Sequence, residues 1–276
     1  MKLKKVWAVY FSGTGTTRRT VERIAGDIAA RLGLPVQSVD FSRPALRQET
    51  LRFSDTDLVV FGTPVYAGRV PNVLLPFLQE KVVGGGALAV PVVLFGNRNY
   101  DDALSELRLT LTAGGFHPVA GAAFSCQHSF SLTQGAGRPD ISDLTIAAGF
   151  ADQVYHKVEA LPSAEACPPL FVKGNDPVGP YYTPRDRHGN PINILPVKPK
   201  TKDTCTQCGR CAKECPLEAI DPADAHNIVG KCMKCNRCVR HCPKHAKYFD
   251  DPNYLYHKTE LDEQYTWPRK EPELFL

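Results

Sequence analysis

Apolar and polar positions along the first 160 residues follow two alternating periods. Residues 6–11 form an unbroken apolar run that stops at a Ser/Gly/Thr loop. In residues 17–32, Val21, Ile24, Ala25, Ile28, Ala29 and Leu32 recur at the spacing of one buried helical face. Gly33 then stands where a helix C-cap belongs. A short strand at 36–39 follows, then a stronger one at 57–61 ended by Gly62-Thr63-Pro64. A short helix at 73–79 has Pro71 near its start, and the clearest strand, 87–95, is stopped by Gly96-Asn97. A helix at 101–112 capped by Asp101 or Asp102, a fifth strand at 117–124 and a helix at 143–158 complete the series. Strands alternating with helices of this length predict a parallel sheet covered on both faces. The runs at 6–11, 57–61 and 87–95 are apolar almost throughout, as strands buried on both sides must be. The expectation is one α/β, doubly wound, five-stranded domain over residues 1–160.

The pattern breaks after Leu161. Nine prolines fall between 161 and 200, and no helical period survives there. Proline lacks the amide donor and restricts the residue before it, so neither a helix nor a central strand fits. Residues 161–200 are expected to be an extended connector lying on the first domain, anchored by Phe171, Tyr181, Tyr182, Ile192, Ile194 and Leu195. Residues 201–250 hold a cysteine-rich module. Residues 251–276, with Tyr254, Tyr256, Tyr265, Trp267 and Phe275, form a tail expected to pack on the domains.

Bulk composition changes this picture little. Apolar residues make up 43% and charged residues 22%, as in ordinary globular proteins. The net charge of +4 gives no ground for a nucleic-acid partner. Lys2, Lys4 and Lys5 before an apolar run imitate a signal peptide, but the run is six residues long and leads into Ser12-Gly13-Thr14-Gly15 instead of a cleavage site. No stretch approaches the ~18 apolar residues of a membrane span. A cytoplasmic location is expected, and the oligomeric state is left open.

Cysteine placement carries the chemistry. Of the ten cysteines, eight lie between Cys205 and Cys242, and the first 200 residues hold only Cys126 and Cys167. Such clustering points to metal instead of disulfides. The module reads Cys205-x-x-Cys208-x-x-Cys211-x-x-x-Cys215-Pro216 and again Cys232-x-x-Cys235-x-x-Cys238-x-x-x-Cys242-Pro243. Two-residue gaps let three thiolates curl round one cubane, and the fourth, before proline, reaches the cluster of the other half. One [4Fe–4S] cluster is therefore expected on Cys205, Cys208, Cys211 and Cys242, and a second on Cys232, Cys235, Cys238 and Cys215. Zinc is the rival guest, but three thiols within seven residues crowd one side of a tetrahedral ion. The segment resembles the bacterial dicluster ferredoxins. It is unusually basic, with ten Lys/Arg against six Asp/Glu between Lys200 and Asp250. Those charges either raise the cluster potentials, form a docking face for an acidic partner, or offset cluster charge on a solvated face.

The loop after the first strand, Ser12-Gly13-Thr14-Gly15-Thr16-Thr17, is dense in hydroxyls and amides at a helix N-terminus. It lacks the Lys-Ser/Thr of a Walker loop, and Arg18 takes the third glycine position of a dinucleotide fingerprint. A terminal phosphate dianion is the group that remains. Ser12-x-Thr14-Gly15-x-Thr17 resembles the phosphate loop of flavodoxins. Thr63-Pro64-Val65-Tyr66-Ala67-Gly68 and Gly96-Asn97-Arg98-Asn99-Tyr100-Asp101 resemble the two loops of that family that flank the flavin ring. The resemblance covers residues 1–160 and implies the strand order 2-1-3-4-5, with a small α+β ferredoxin domain added. It also implies FMN, with Ser12, Thr14, Thr16 and Thr17 on the phosphate, Tyr66 and Tyr100 against the ring or else in ordinary packing, and Gly68 free to turn its peptide toward N5. Residues 125–141 form a long loop on the same edge with Cys126, His128 and Arg138, which are either structural or catalytic.

The whole chain looks like the flavodoxin–ferredoxin fusion proteins of anaerobes. The resemblance implies an electron-transfer protein linking an external one-electron carrier, two [4Fe–4S] clusters and FMN. Its partner would be a ferredoxin or a partner oxidoreductase. An FMN-dependent reductase of a small molecule is the alternative, and an accessible flavin edge or a closed pocket lined by His128 or Arg138 separates the two.

Overall fold

The computed structural model describes residues 2–276. Five parallel strands, β1 (Lys5–Tyr10), β2 (Val36–Asp40), β3 (Asp57–Pro64), β4 (Leu88–Phe95) and β5 (Gly121–Ser125), stand in the order β2-β1-β3-β4-β5. Four helices connect or follow them: α1 (Thr16–Leu32), α2 (Leu75–Glu80), α3 (Ala103–Ala113) and α4 (Ile141–Ala160). Successive strand residues face opposite sides. Val6, Ala8, Leu58, Val60, Leu88 and Val90 meet Ile24 and Ile28 of α1 and Phe150 and Val154 of α4. On the other face Val9, Val59, Phe61, Ala89 and Val93 meet Phe77 of α2 and Leu104 and Leu107 of α3. The sheet is thus a flavodoxin-like, doubly wound α/β sheet, and its strand order is the expected one.

Three local readings change. The expected strand at 117–124 is interrupted: His117 and Pro118 pair with the start of β4, and only after Val119 and Ala120 does β5 begin. Pro118 has no amide donor with which to continue the ladder. In the connector, Phe171 and Leu195 are 83% and 81% exposed, so neither is an anchor. Ile192, also named, is buried, as is Val197, and Leu170 and Val172 flank Phe171 inward because an extended chain turns alternate side chains to one side.

The tail does more than pack. After helix α5 (Pro252–Tyr265), capped by Asp251 accepting from the Asn253 and Tyr254 amides, the chain returns as β6 (Glu273–Phe275). β6 pairs antiparallel with β5, Leu274 opposite Ala122, and so covers the edge of the sheet.

The module has only small apolar groups to bury, chiefly Ala212, Ala219, Ile220, Ala225 and Ala246. Lys200–Thr201 pairs antiparallel with Lys247–Tyr248 and ties its beginning to its end. Among the described residues no helix is long and apolar enough to cross a membrane.

Candidate functional site

All three candidate loops lie at the C-terminal ends of β1, β3 and β4. Ser12 is 3% exposed; its amide donates to Ser42 Oγ (2.7 Å), and its own Oγ accepts from the Gly15 and Arg18 amides (3.1 and 3.2 Å). Gly15 takes a left-handed conformation (φ 96°) to open α1. The first helical bond to this turn runs from the Arg19 amide to the Gly15 carbonyl, so the amides of Thr16 and Thr17 find no intrahelical acceptor. Thr17 is buried, while Thr14 and Thr16 are partly open. The Thr16 hydroxyl is hydrogen-bonded to the Cys126 thiol, which burial pushes up to about 11.

The second loop is a tight turn. Tyr66 and Arg69 exchange N–H···O bonds of 2.9 and 3.1 Å around Ala67 (φ 50°) and Gly68 (φ 76°). Its carbonyls are engaged: Ala67 O accepts from the Tyr182 amide and Gly68 O from the Asp102 amide. Arg69 fixes the turn with a two-pronged bond to Glu106 (Nε–Oε2 2.8 Å, Nη2–Oε1 2.5 Å), and the Val70 amide adds a third bond to that carboxylate. Just before the turn, Thr63 Oγ1 is buried with no partner. A buried hydroxyl of this kind calls for a polar guest.

The third loop departs most from expectation. Asn97 is 2% exposed, and its side chain holds the tail: Nδ2 donates to the Tyr265 and Pro268 carbonyls (2.6 and 3.0 Å), and Oδ1 accepts from the Lys270 amide (2.9 Å). Arg98 pairs with Asp101 and lies 4.3 Å over the Tyr182 ring. Asn99 Oδ1 accepts from the Tyr100 amide. Tyr100, expected as a ring-stacking candidate, is 1% exposed, packs on Phe95 and donates to Glu273 Oε2 (2.7 Å). It is a core residue, and burial with the Glu273 bond drives its phenol pKa up.

Of the three catalytic candidates, Arg138 is held in a buried ion pair. Its guanidinium is 4% exposed, bonded twice to Asp143 (2.9 and 2.6 Å) and once to the Lys270 carbonyl (2.7 Å). His128 lies directly across Gly96, where a Cβ would collide with its ring. Its Nδ1 accepts from the Phe130 amide (3.1 Å), so the neutral ring carries its proton on Nε2. Burial lowers its pKa to about 4, with His257, Arg240 and Arg98 nearby acting in the same direction and Asp262 opposing them.

In the module, eight thiols line two cavities. One is lined by Cys205, Cys208, Cys211 and Cys242; the other by Cys215, Cys232, Cys235 and Cys238. The two halves repeat their backbone. Gln207, Gly209 and Glu218 have positive φ (52°, 70°, 50°), and so do their counterparts Lys234, Asn236 and His245 (57°, 57°, 48°). Those turns aim amides at sulfur: Gln207 to Cys205 and Lys234 to Cys232 (both 3.4 Å), Ala219 to Cys215 (3.3 Å) and Ala246 to Cys242 (3.2 Å). Cavities ringed by four thiols with amide donors aimed at sulfur suit cubanes.

The second cavity lies against the loops after β1 and β3. A Cβ placed on Gly13 would stand 3.1 Å from Cys235 Cβ and 3.2 Å from Tyr66 Oη, so a larger residue there would press on both. Arg237 Nη1 donates to the Ser12 carbonyl (2.9 Å), Arg47 to the Pro216 carbonyl and Arg240 to the Ser131 carbonyl. Burial raises the Tyr66 pKa well above the usual phenol range, with Cys235, Cys126 and Cys232 adding to it. Sequence reasoning did not pick out Arg47 or Asn236. Their only signal was a polar residue in an otherwise ordinary setting.

Three polar loops at the head of a doubly wound sheet, touching one of two thiol-lined cavities, fit a flavin- and iron–sulfur-based electron-transfer protein. The flavodoxin domain model matches residues 8–95 and the 4Fe-4S dicluster domain model residues 204–247. The chain therefore contains a flavodoxin domain and a 4Fe-4S dicluster domain, which imply FMN and two [4Fe–4S] clusters as cofactors. No curated protein matches it in sequence. Solved structures similar to it include a flavodoxin from the domain Archaea (16% identity, 56% of this chain and 99% of that chain, TM-score 0.40). Others are the Streptococcus pneumonia TIGR4 flavodoxin (17%, 55% and 99%, TM-score 0.39) and the rubredoxin oxygen:oxidoreductase of Desulfovibrio gigas (16%, 58% and 37%, TM-score 0.39).

Proposed function

We propose that the chain carries electrons between an external one-electron carrier and FMN, with the two clusters in series between them. When bound, the clusters pass single electrons, whereas FMN holds one or two. Residues 1–160 act as the flavin-binding domain, 161–200 as the connector, 201–250 as the cluster module and 251–276 as the tail that holds them together. Ser12, Thr14, Thr16 and Thr17 with the first amides of α1 receive the phosphate. The segment from Thr63 to Gly68, the Tyr66 ring and the backbone from Gly96 to Asp101 receive the ring system. Cys215, Cys232, Cys235 and Cys238 hold the inner cluster, and Cys205, Cys208, Cys211 and Cys242 the outer one.

The contact of Cys235 with Gly13 and Tyr66 carries this reading, since it sets a cluster ligand against the flavin loops with no solvent layer between. Fusion also replaces a bimolecular encounter by a fixed one. The alternative, a small-molecule reductase, retains His128 and Cys126, because Arg138 is locked to Asp143.

Anaerobic reconstitution should give about eight iron and one FMN per chain. Stopped-flow reduction should then bleach the clusters first and the flavin second. Clusters that never exchange electrons with FMN would contradict the proposal.

A further inference from the structure

We propose that the face around the Cys205–Cys208–Cys211–Cys242 cavity is a docking surface for an acidic one-electron carrier protein. This rests on the electron route above and narrows its outer end to one kind of partner. The two cavities differ in what lies beyond them. The inner one backs onto the flavin loops through Cys235, which is 8% exposed. The outer one opens to solvent: Thr206, Gln207, Cys208, Pro243 and Lys244 are all exposed.

Charge around that opening is one-sided. Arg210 and Lys244 line it, and Lys202 and Lys213 stand within three residues of its ligands Cys205 and Cys211 along the chain; all four are exposed, and among the described residues the ammonium groups of Lys213 and Lys244 make no hydrogen bond or ion pair. Lys202 is also free of acceptors and lies over the Tyr248 ring. Of the carboxylates nearby, Glu214 is taken by Arg210, Arg237 and His241, and Asp224 by Gln207 and the His226 amide. Among the described residues the Asp203 carboxylate makes no hydrogen bond or ion pair there, nor does that of Glu218, which lies between two residues of the inner cavity.

Were these cations present merely to balance cluster charge, the inner cavity would show the same free groups. There Lys198 donates to the Ile228 carbonyl, Lys234 to the Leu195 and Cys232 carbonyls, and Arg237 to Ser12 and Glu214, which leaves Lys231. Free ammonium groups therefore concentrate where an electron must enter or leave. A rim of this sign attracts a negative surface and repels a basic one. One electron crosses per encounter: the carrier loses one, the chain gains one, and no proton or bond changes hands.

The probe is a reduced acidic plant-type [2Fe–2S] ferredoxin, mixed anaerobically with the fully loaded protein. Its second-order rate of cluster reduction should fall about tenfold between low and physiological-to-high salt. Lys202→Glu with Lys213→Glu should slow that reaction about tenfold at low salt, with iron and FMN content intact, and Lys213→Arg should restore its share. Reduction by photoreduced deazariboflavin, which is uncharged, should not distinguish variant from parent. A salt-independent rate, an unaffected variant, or a variant slowed equally with both reductants would overturn the inference. Failure of the route itself looks different: the clusters would accept electrons from ferredoxin, salt-dependently, while FMN stayed oxidised.

Discussion

Lys247 and Lys234 place ammonium groups beside the two thiol cavities with neutral oxygens as hydrogen-bond partners. Lys247, 3% exposed, donates to Thr201 Oγ1 (2.7 Å) and to the Ala225 carbonyl; Lys234, 8% exposed, donates to the Leu195 and Cys232 carbonyls. Burying a cation is costly unless an anion answers it, and four thiolates around a cubane supply that anion. A unit charge at about 6 Å in an effective dielectric near 20 is worth about 3 kcal/mol. Lys247→Met should therefore lower the outer cluster's midpoint by on the order of 100 mV, and Lys234→Met the inner one's. An EPR-monitored redox titration that found both potentials unmoved would remove this role. A second residue-level effect concerns His128 and His257, whose pKa values burial lowers to about 4. Both rings sit below the unfolded value, so the neutral form belongs to the fold. Their contribution is present above about pH 6.5 and is lost as pH falls toward 4. Urea unfolding at pH 7 and pH 5 should show a loss of roughly 2 kcal/mol per ring, and His257→Gln should flatten the difference. The eight thiols were legible because their chemistry is local in sequence. Lys247 was not, because its burial depends on Thr201 and Ala225, more than twenty residues away.

Elements bring such distant residues together, and the strongest junction is the start of α4. Asp140 caps it by accepting from the Asp143 amide, and Asp143 returns the bond to the Asp140 amide. The same Asp143 carboxylate, with no exposed surface, binds Arg138 and also receives Arg269 from the tail (3.1 Å). Removing its charge leaves Arg138 buried without compensation, which costs about 3–5 kcal/mol. Asp143→Asn should lower the melting temperature by roughly 10 °C. Arg269→Ala removes a partly exposed partner and should cost about 1 kcal/mol or less. Equal effects from the two in calorimetry would mean that the junction is held by the tail and not by the buried pair. At this scale periodicity served well for the sheet and its helices, since each strand and helix buries a face that its own sequence displays. It failed for Tyr100 and for β6. Tyr100 reads as a loop aromatic until Glu273 arrives to bind its hydroxyl. β6 is three residues long, too short to show any period.

Across the whole molecule, stability is divided unequally, and iron removal exposes the division. The sheet holds two apolar clusters, one on each face, made from residues of every strand. The module buries four alanines, Ile220 and Cys235, far too little apolar area to order about fifty residues unaided. Cluster binding is therefore its folding energy. The tail spans both regimes: Tyr254 of α5 bonds to Asn236 (3.1 Å) and stacks on Phe249 of the module, whereas Leu274 and Phe275 of β6 pair with β5. Chelating the iron should unfold the module and loosen α5 while β6 stays in the sheet. Limited proteolysis of the iron-free protein should then cut between residues 200 and 265 and spare residues 2–160. The flavin domain should still take up FMN, because its phosphate loop closes on Ser42 and its ring turn on Glu106, neither of which belongs to the module. Cuts spread evenly along the chain would show instead that the clusters hold the sheet itself, and that the Cys235–Gly13 contact is a support for the flavin loops as well as a path for the electron.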